Sequence, residues 1–302
     1  MSDFLFVLQA NGFMVDSVEP DGKFHRCKTV EHPKKKNGYY KLNYDGRIGY
    51  YGDFSRSGET LTWKASAEQI ELLPQRSQEE IQARKDEERR VKVAAVHAAR
   101  DYYAQAKPMQ GGHPYLESHG LTVQGCDAVR VDGKWMVVPM YRNGSLLCVQ
   151  RIAGDGTKLY WEDAISKGTS LVLARHDSTL TVYCEGFATG LAIFQAIPLC
   201  TVVVCFTAAN MLLVATESKP HGMTVVCADN DVATAEKFRL TTGIATNPGL
   251  EYGKKAADAL GAGLAYPVGI KGTDWCDALL EGWPKMKVRQ AILKQAKPIF
   301  KK

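Results

Sequence analysis

No uninterrupted apolar run in this 302-residue chain approaches the length that spans a bilayer. The opening residues, Met1-Ser-Asp-Phe, put no basic stretch ahead of their short apolar run, so no secretory leader is expected. Eight cysteines occur, none in a C-x-x-C pair, and Cys184, Cys205 and Cys227 sit inside apolar runs. That usage suits small buried side chains in a reducing cytoplasm better than a disulfide framework. No G-x-x-x-x-G-K-[ST] segment occurs, which leaves the sequence without the phosphate loop of a nucleotide-driven motor. There is no internal repeat and no low-complexity segment. Between Gln75 and Gln110 glycine is missing altogether, and from Lys285 to Lys302 no acid interrupts seven basic residues.

The net charge of +5 therefore rests on the tail, without which the chain would stand near −2. A basic tail suits contact with a phosphate backbone, and equally a solvated helix end. A second basic stretch runs from Lys23 to Arg47, with eight basic residues against two acids. Tyr39, Tyr40, Tyr44, Tyr50, Tyr51 and Phe54 are interleaved with it or follow it. Cations alternating with aromatic faces form the pattern of single-strand binding. Tyrosines at this density also fill small β cores, and both readings stand.

Five segments follow from composition and periodicity. Residues 1–65 are rich in glycine, tyrosine and short alternating runs, which predicts a small β-rich module, with Asp45-Gly46 as a hairpin turn. Residues 66–110 carry Glu and Arg/Lys at helical spacing and predict a charged helical linker. Residues 111–178 contain strand-like runs over Ala128–Ile152 and predict a mixed α+β subdomain. From 179 to 281, nearly continuous apolar strands (180–184, 201–206, 223–228, 264–267) alternate with helical stretches. This pattern predicts a parallel sheet covered on both faces, hence an α/β fold. Residues 282–302 form a basic helix or tail.

Ligands of such sheets bind at the carboxyl ends of strands. Two strand ends here carry acids: Cys184-Glu185-Gly186, and Ala228-Asp229-Asn230-Asp231. Gly186 permits a tight strand-to-helix turn. Asp229 and Asp231, two apart on extended backbone, point the same way. Three carboxylates at one sheet edge repel each other unless cations sit between them, and hard oxygen ligands suit Mg²⁺ or Mn²⁺.

These motifs resemble the Toprim domain, shared by bacterial-type primases, topoisomerases and some nucleases. The resemblance rests on Glu185-Gly-Phe-Ala-Thr-Gly followed by Ala228-Asp-Asn-Asp. Phe206-Thr-Ala-Ala-Asn-Met, Asn247-Pro-Gly-Leu-Glu and Asp274-Trp-Cys-Asp-Ala-Leu-Leu narrow it to the Toprim primases of phages, satellite phages and conjugative plasmids. It extends upstream through His113-Pro-Tyr-Leu, Val138-Pro-Met-Tyr-Arg-Asn-Gly, Gln150-Arg-Ile and Asp155-Gly-Thr-Lys. In the first segment it includes Gly22-Lys-Phe-His-Arg-Cys and Gly52-Asp-Phe-Ser-Arg-Ser-Gly.

The resemblance implies a Toprim-type parallel sheet preceded by a primase subdomain and a small β-rich module. It implies a DNA primase, a metal-dependent nucleotidyltransferase making short primers. The alternatives are a Toprim nuclease or a non-catalytic binding protein. Glu185 would act as acid–base or metal-organising group, Asp229 and Asp231 as metal ligands, and Asp277, with Asp274 beside it, as an extra acid. Arg151, Lys158, Lys167 and Asn210 would meet nucleotide or template. Cofactors would be Mg²⁺ or Mn²⁺. Partners would be single-stranded DNA, NTPs and a separate replicative helicase, with no membrane. His113 fits a structural cap before Pro114. Two features depart from the family. Thr189 stands where bacterial primases often carry an acid, and Val232–Thr246 reads as an inserted loop. A third departure concerns zinc: His25, Cys27 and His32 form only an H-x-C-x4-H cluster, so no zinc is expected.

Overall fold

The computed structural model describes residues 3–55, 60–73, 78–220, 222–242 and 245–299. Arg56, Ser57 and Gly58 of the first-segment motif, and Lys301 and Lys302 of the basic tail, lie outside them. The chain divides into two compact units, one of residues 1–88 with 236–246, the other of 89–235 with 247–302.

The first unit opens with a helix, α1 (Asp3–Ala10), which the reading of a β-rich module did not include. Phe4, Leu5 and Leu8 fall on one face and are buried. Asn11 and Gly12 (φ +81°) end it. Five strands follow, β1 (Phe13–Met14), β2 (His25–Thr29), β3 (Gly38–Leu42), β4 (Ile48–Asp53) and β5 (Leu61–Lys64), paired antiparallel in sequence order. The Asp45-Gly46 turn joins β3 to β4, with Gly46 at φ +69° and its N–H donated to the Asn43 carbonyl at 2.8 Å. The inner face packs Cys27, Tyr40, Leu42 and Tyr51 against α1, and Trp63 stacks on Phe4 at 5.1 Å. Two tyrosines of the basic stretch therefore do fill a core. Gly49 has no choice of side chain, because a Cβ there would sit 2.5 Å from the Phe4 ring.

Helix α2 (Ala67–Leu72) starts in a capping box between Ser66 and Gln69. The glycine-free stretch forms α3 (Gln78–Gln105), 28 residues long.

The second unit holds two sheets. The first is antiparallel: β6 (Lys107–Pro108), β7 (Arg130–Asp132), β8 (Trp135–Arg142), β9 (Ser145–Ala153) and β10 (Lys158–Tyr160), in the order β10-β9-β8-β7-β6. Asn143 (φ 51°) and Gly144 (φ 75°) make the two-residue β8–β9 turn, the left-handed pair that matches strand twist. Helix α4 (Pro114–Ser118) is capped by His113, whose Nδ1 accepts the Tyr115 N–H at 3.2 Å.

The second sheet contains β11 (Leu171–Leu173), β12 (Leu180–Cys184), β13 (Cys200–Val204), β14 (Gly222–Cys227), β15 (Gly263–Ala265) and β16 (Lys297–Ile299). Its order is β11-β13-β12-β14-β15. Strands β13, β12, β14 and β15 are parallel, as expected from their apolar runs. Two short strands missed in the sequence, β11 and β16, add antiparallel pairings. Five helices complete this part: α5 (Phe187–Ala196), α6 (Ala208–Glu217), α8 (Pro248–Leu260), α9 (Trp275–Leu280) and α10 (Lys285–Gln295). Val182, Cys184, Val202 and Val204 face one core with α5, α9 and α10. Tyr183, Val203 and Val226 face the other with α6 and α8. The sheet is thus covered on both sides. The segment expected as an inserted loop is helical: α7 runs from Val232 to Thr242. All eight cysteines are free and buried. No helix among the described residues is long and apolar enough to cross a membrane.

Candidate active site

After β12 the chain passes through α5 to β13 on one side, then crosses to β14 on the other. The carboxyl ends of β12 and β14 are therefore a topological switch point, where a crevice opens in a doubly covered sheet. Glu185 follows β12 directly, and Asp229 lies two residues past Cys227, which pairs with Cys184.

Local chemistry holds each acid in place. The Glu185 carbonyl accepts the Phe206 N–H at 2.7 Å. Phe206 sits at φ 69°, a strained value for a bulky residue, in the turn that leads to Thr207, the cap of α6. Gly190, the second glycine of the Glu185 motif, lets α5 approach the sheet: a Cβ there would lie 2.5 Å from Val204 and 3.0 Å from Cys184 Sγ.

Across the crevice, Asn247 organises Asp229-Asn230-Asp231. Its Oδ1 accepts the Asp231 N–H at 3.2 Å and caps α8 by accepting the Leu250 N–H at 3.2 Å. Its Nδ2 donates to Asn230 Oδ1 at 3.1 Å. The Gly249 N–H donates to Asp231 Oδ2 at 3.1 Å. A Cβ on Gly249 would run into the Asp229 carbonyl and lie 2.9 Å from Asp231 Oδ2. The Asn-Pro-Gly motif is thus a clamp on the acidic turn.

Two further acids, Asp274 and Asp277, act on Asp229, with Asp274 the stronger. Asp274 Oδ1 accepts the N–H groups of Cys276 and Asp277 at 2.7 and 2.9 Å, and its Oδ2 accepts the Thr189 hydroxyl at 2.7 Å. Asp277 Oδ2 is turned to the Thr273 and Asp274 N–H groups, and a Cβ on Gly272 would run into it. Asp277 therefore serves the reciprocal cap of α9. Thr189 thus holds Asp274.

The electrostatics are those of crowded carboxylates. Glu185 retains some exposure, but shielding of its carboxyl, then Asp231, push its pKa up to about 7. The Ala208 N–H and Lys158 pull the other way. Asp229 is held well above the usual carboxylate range by burial, then by Glu185, Asp274, Asp231 and Asp277. Burial also raises Asp274, against its caps. Asp229 Oδ1 is shielded from solvent and has no hydrogen-bond partner. A buried acceptor left unpaired among like charges has the character of a cation ligand. No three His, Cys, Asp or Glu side chains among the described residues are drawn together as a ready ligand set. The donor set, all carboxylate oxygen, fits a hard divalent ion.

The basic candidates separate. Lys158 pairs with Ile152 and Tyr160 with Gln150, on the face of β9–β10 that looks toward the acids. Arg151 alternates to the other face. Strand alternation thus turns it away from the face that carries Lys158. Its guanidinium lies over Trp161, Trp135 and Tyr102 at 5.3, 5.4 and 6.0 Å. Lys167 borders a cleft of about 230 Å³ with Tyr160, Phe206, Thr207 and Asn210. The Asn210 amide is spent on the backbone: Oδ1 accepts the Gly168 N–H at 2.7 Å, and Nδ2 donates to the Thr169 and Cys205 carbonyls at 2.8 and 2.6 Å. It ties two loops together and has no donor left for a ligand.

Residues 181–283, about a third of the chain, match the family model of the Toprim domain. Domains of this family generally use divalent metal ions. No curated protein matches the chain. Among solved structures, it is similar to the primase fragment of the bacteriophage T7 primase-helicase protein. That match has 14% identity and a TM-score of 0.42, over 62% of this chain and 78% of the other. A second likeness is to a complex of bacteriophage T7 lagging-strand DNA polymerase with primase domains bound to an RNA/DNA hybrid and dTTP. It has 13% identity and a TM-score of 0.42, over 65% of this chain and 94% of that one. Superpositions at this level carry no weight for the chemistry.

Proposed function

We propose that the chain is a DNA-primase-like nucleotidyltransferase, which joins nucleotides into short primers on single-stranded DNA at the crevice between β12 and β14. The observation that carries this reading is the shielded group Glu185, Asp229, Asp231 and Asp274 at the switch point of a Toprim sheet, with Asp229 Oδ1 unpaired. The primase-specific part rests on the resemblance of the surrounding motifs.

In this reading Asp229 and Asp231 hold Mg²⁺ or Mn²⁺, with Glu185 and Asp274 beside them. The ion would supply charge neutralisation for phosphoryl transfer. The remaining roles belong to the chain. Glu185, poised near neutrality, takes the proton of an attacking hydroxyl on its carboxylate. Asn247 and Gly249 keep Asp231 aimed. Lys158, on the acidic side of its sheet, meets a nucleotide phosphate. Residues 179–281 form the catalytic domain and 111–178 its companion, and a separate helicase docks on the charged helix or the basic tail. Catalysis is then mostly positioning and charge stabilisation.

The test is primer synthesis on single-stranded DNA of mixed sequence, with labelled NTPs or dNTPs and Mg²⁺ or Mn²⁺. Wild type should give short metal-dependent products, and Glu185→Gln none. Equal products from both would refute the site. Plasmid nicking without nucleotides, and no synthesis even with a helicase, would make the protein a nuclease.

A further inference from the structure

The basic, aromatic stretch of the first unit is not used by the chemistry at Glu185, and β alternation sorts its residues. Inward go Cys27, Tyr40, Leu42, Tyr51 and Trp63, against α1. Outward go Arg26 and Lys28 of β2, Tyr39 and Lys41 of β3, Tyr50 and Gly52 of β4, and Thr62 and Lys64 of β5. The register confirms one face, with rows Arg26–Tyr39–Gly52 and Lys41–Tyr50–Thr62. The only acid in these four strands, Asp53, points inward, where its carboxylate accepts the hydroxyls of Thr29 and Ser55.

Three rings gather at one corner of this face. Tyr39 is nearly buried because Phe24 and Phe54 flank it, with centroids 5.8 and 4.5 Å away. The flanking rings themselves remain 65% and 57% exposed. Large apolar rings held at the surface invite an explanation that core packing does not provide. Each also has its own cation. The Arg26 guanidinium lies 4.5 Å from the Phe54 centroid, and Lys41 Nζ lies 5.7 Å from that of Phe24. Arg26 is pinned there by donating to the Lys36 carbonyl through Nε at 2.9 Å and through a second nitrogen. The Tyr39 hydroxyl is fixed on Thr60 at 2.7 Å.

We infer that this outer sheet face binds single-stranded nucleic acid, with bases against Phe24 and Phe54 and phosphates along Arg26, Lys28, Lys41 and Lys64. Unpaired bases offer faces to stack on exposed rings, and the backbone supplies charge for the cations between them. A duplex hides its base faces, and an acidic peptide has no use for the rings. The inference stands independently of the reaction at Glu185.

The test uses the full chain and a fluorescein-labelled oligothymidylate, read by anisotropy without nucleotides. Phe24→Ala/Phe54→Ala uncovers Tyr39 and should lower the melting temperature by a few degrees at most, with the circular-dichroism spectrum unchanged, but lose at least about tenfold in affinity at a temperature well below the melt. Arg26→Ala/Lys41→Ala should lower the slope of log affinity against log salt by about 0.7 per residue. In wild type, an iodouracil-substituted strand should crosslink to peptides containing Phe24, Tyr39 or Phe54. Aromatic-variant affinity within about twofold of wild type, or crosslinks confined to other peptides, would overturn the inference. So would polyglutamate competing as well as unlabelled oligonucleotide, which would make the face a site for an acidic protein.

Discussion

Replacing Glu185 by Gln should stabilise the metal-free protein at neutral pH while removing its activity. Glutamine keeps the shape and an acceptor for the Ala208 N–H but removes one charge from the crowd. The Glu185 pKa rises from 4.5 to about 7 in the fold. At about 1.4 kcal/mol per unit, ionising it there costs at most about 3 kcal/mol. Part of that cost is repulsion shared with Asp231, which protonation of a neighbour also relieves, so a gain of about 1–3 kcal/mol is expected. The sign follows from proton linkage. With its pKa raised in the folded state, Glu185 contributes full stability below about pH 4.5 and loses it as pH climbs to about 7. Thermal melts in chelator should therefore show the variant roughly 3–10 °C above wild type at about pH 8, for a unit of this size. The gap should close toward about pH 4.5. Millimolar Mg²⁺ should raise the wild-type melt at about pH 8 more than the variant's, because binding to the folded state alone stabilises it. A variant that melts at or below wild type at about pH 8, or a gap that ignores pH, would refute the carboxylate crowding on which the site rests.

Two further outcomes concern the clamp. Gly249→Ala should destabilise by about 1–3 kcal/mol in urea unfolding, since its Cβ meets the Asp229 carbonyl, and should weaken Mg²⁺ binding measured by calorimetry. Asn247→Ala removes a helix cap and the acceptor for the Asp231 N–H, so it should cost about 1–2 kcal/mol by the same assay and lower activity more than it lowers stability.

The parallel strands were legible because each is a nearly continuous apolar run, as a doubly covered sheet requires, and the acids because two of those runs, β12 and β14, end in carboxylates. Shorter elements were not. Leu171–Leu173 and Lys297–Ile299 are too brief to show a period, and their pairing with β13 and β14 is a tertiary event. The apolar run at residues 4–8 suits a strand or a helix until α1 is seen to bury one face on β2–β5. Side-chain direction was the harder matter. Arg151 and Lys158 both sit on strands near the acids in sequence, yet only the β9–β10 register says that one faces them and the other does not. Asp274 and Asp277 are two ends of one capping box, and nothing local tells which turns inward. Thr189, 85 residues away, decides it by donating its hydroxyl to Asp274. The same holds for the site as a whole. Strand ends can be read from composition, but strand order cannot. Because β13 is laid on one side of β12 and β14 on the other, Glu185 and Asp229 stand at the ends of neighbouring strands, where Glu185 raises the pKa of Asp229 and Asp229 Oδ1 is left unpaired. Had β13 been placed between β12 and β14, the same residues would be two strands apart, and the repulsion that a metal would relieve would be weaker.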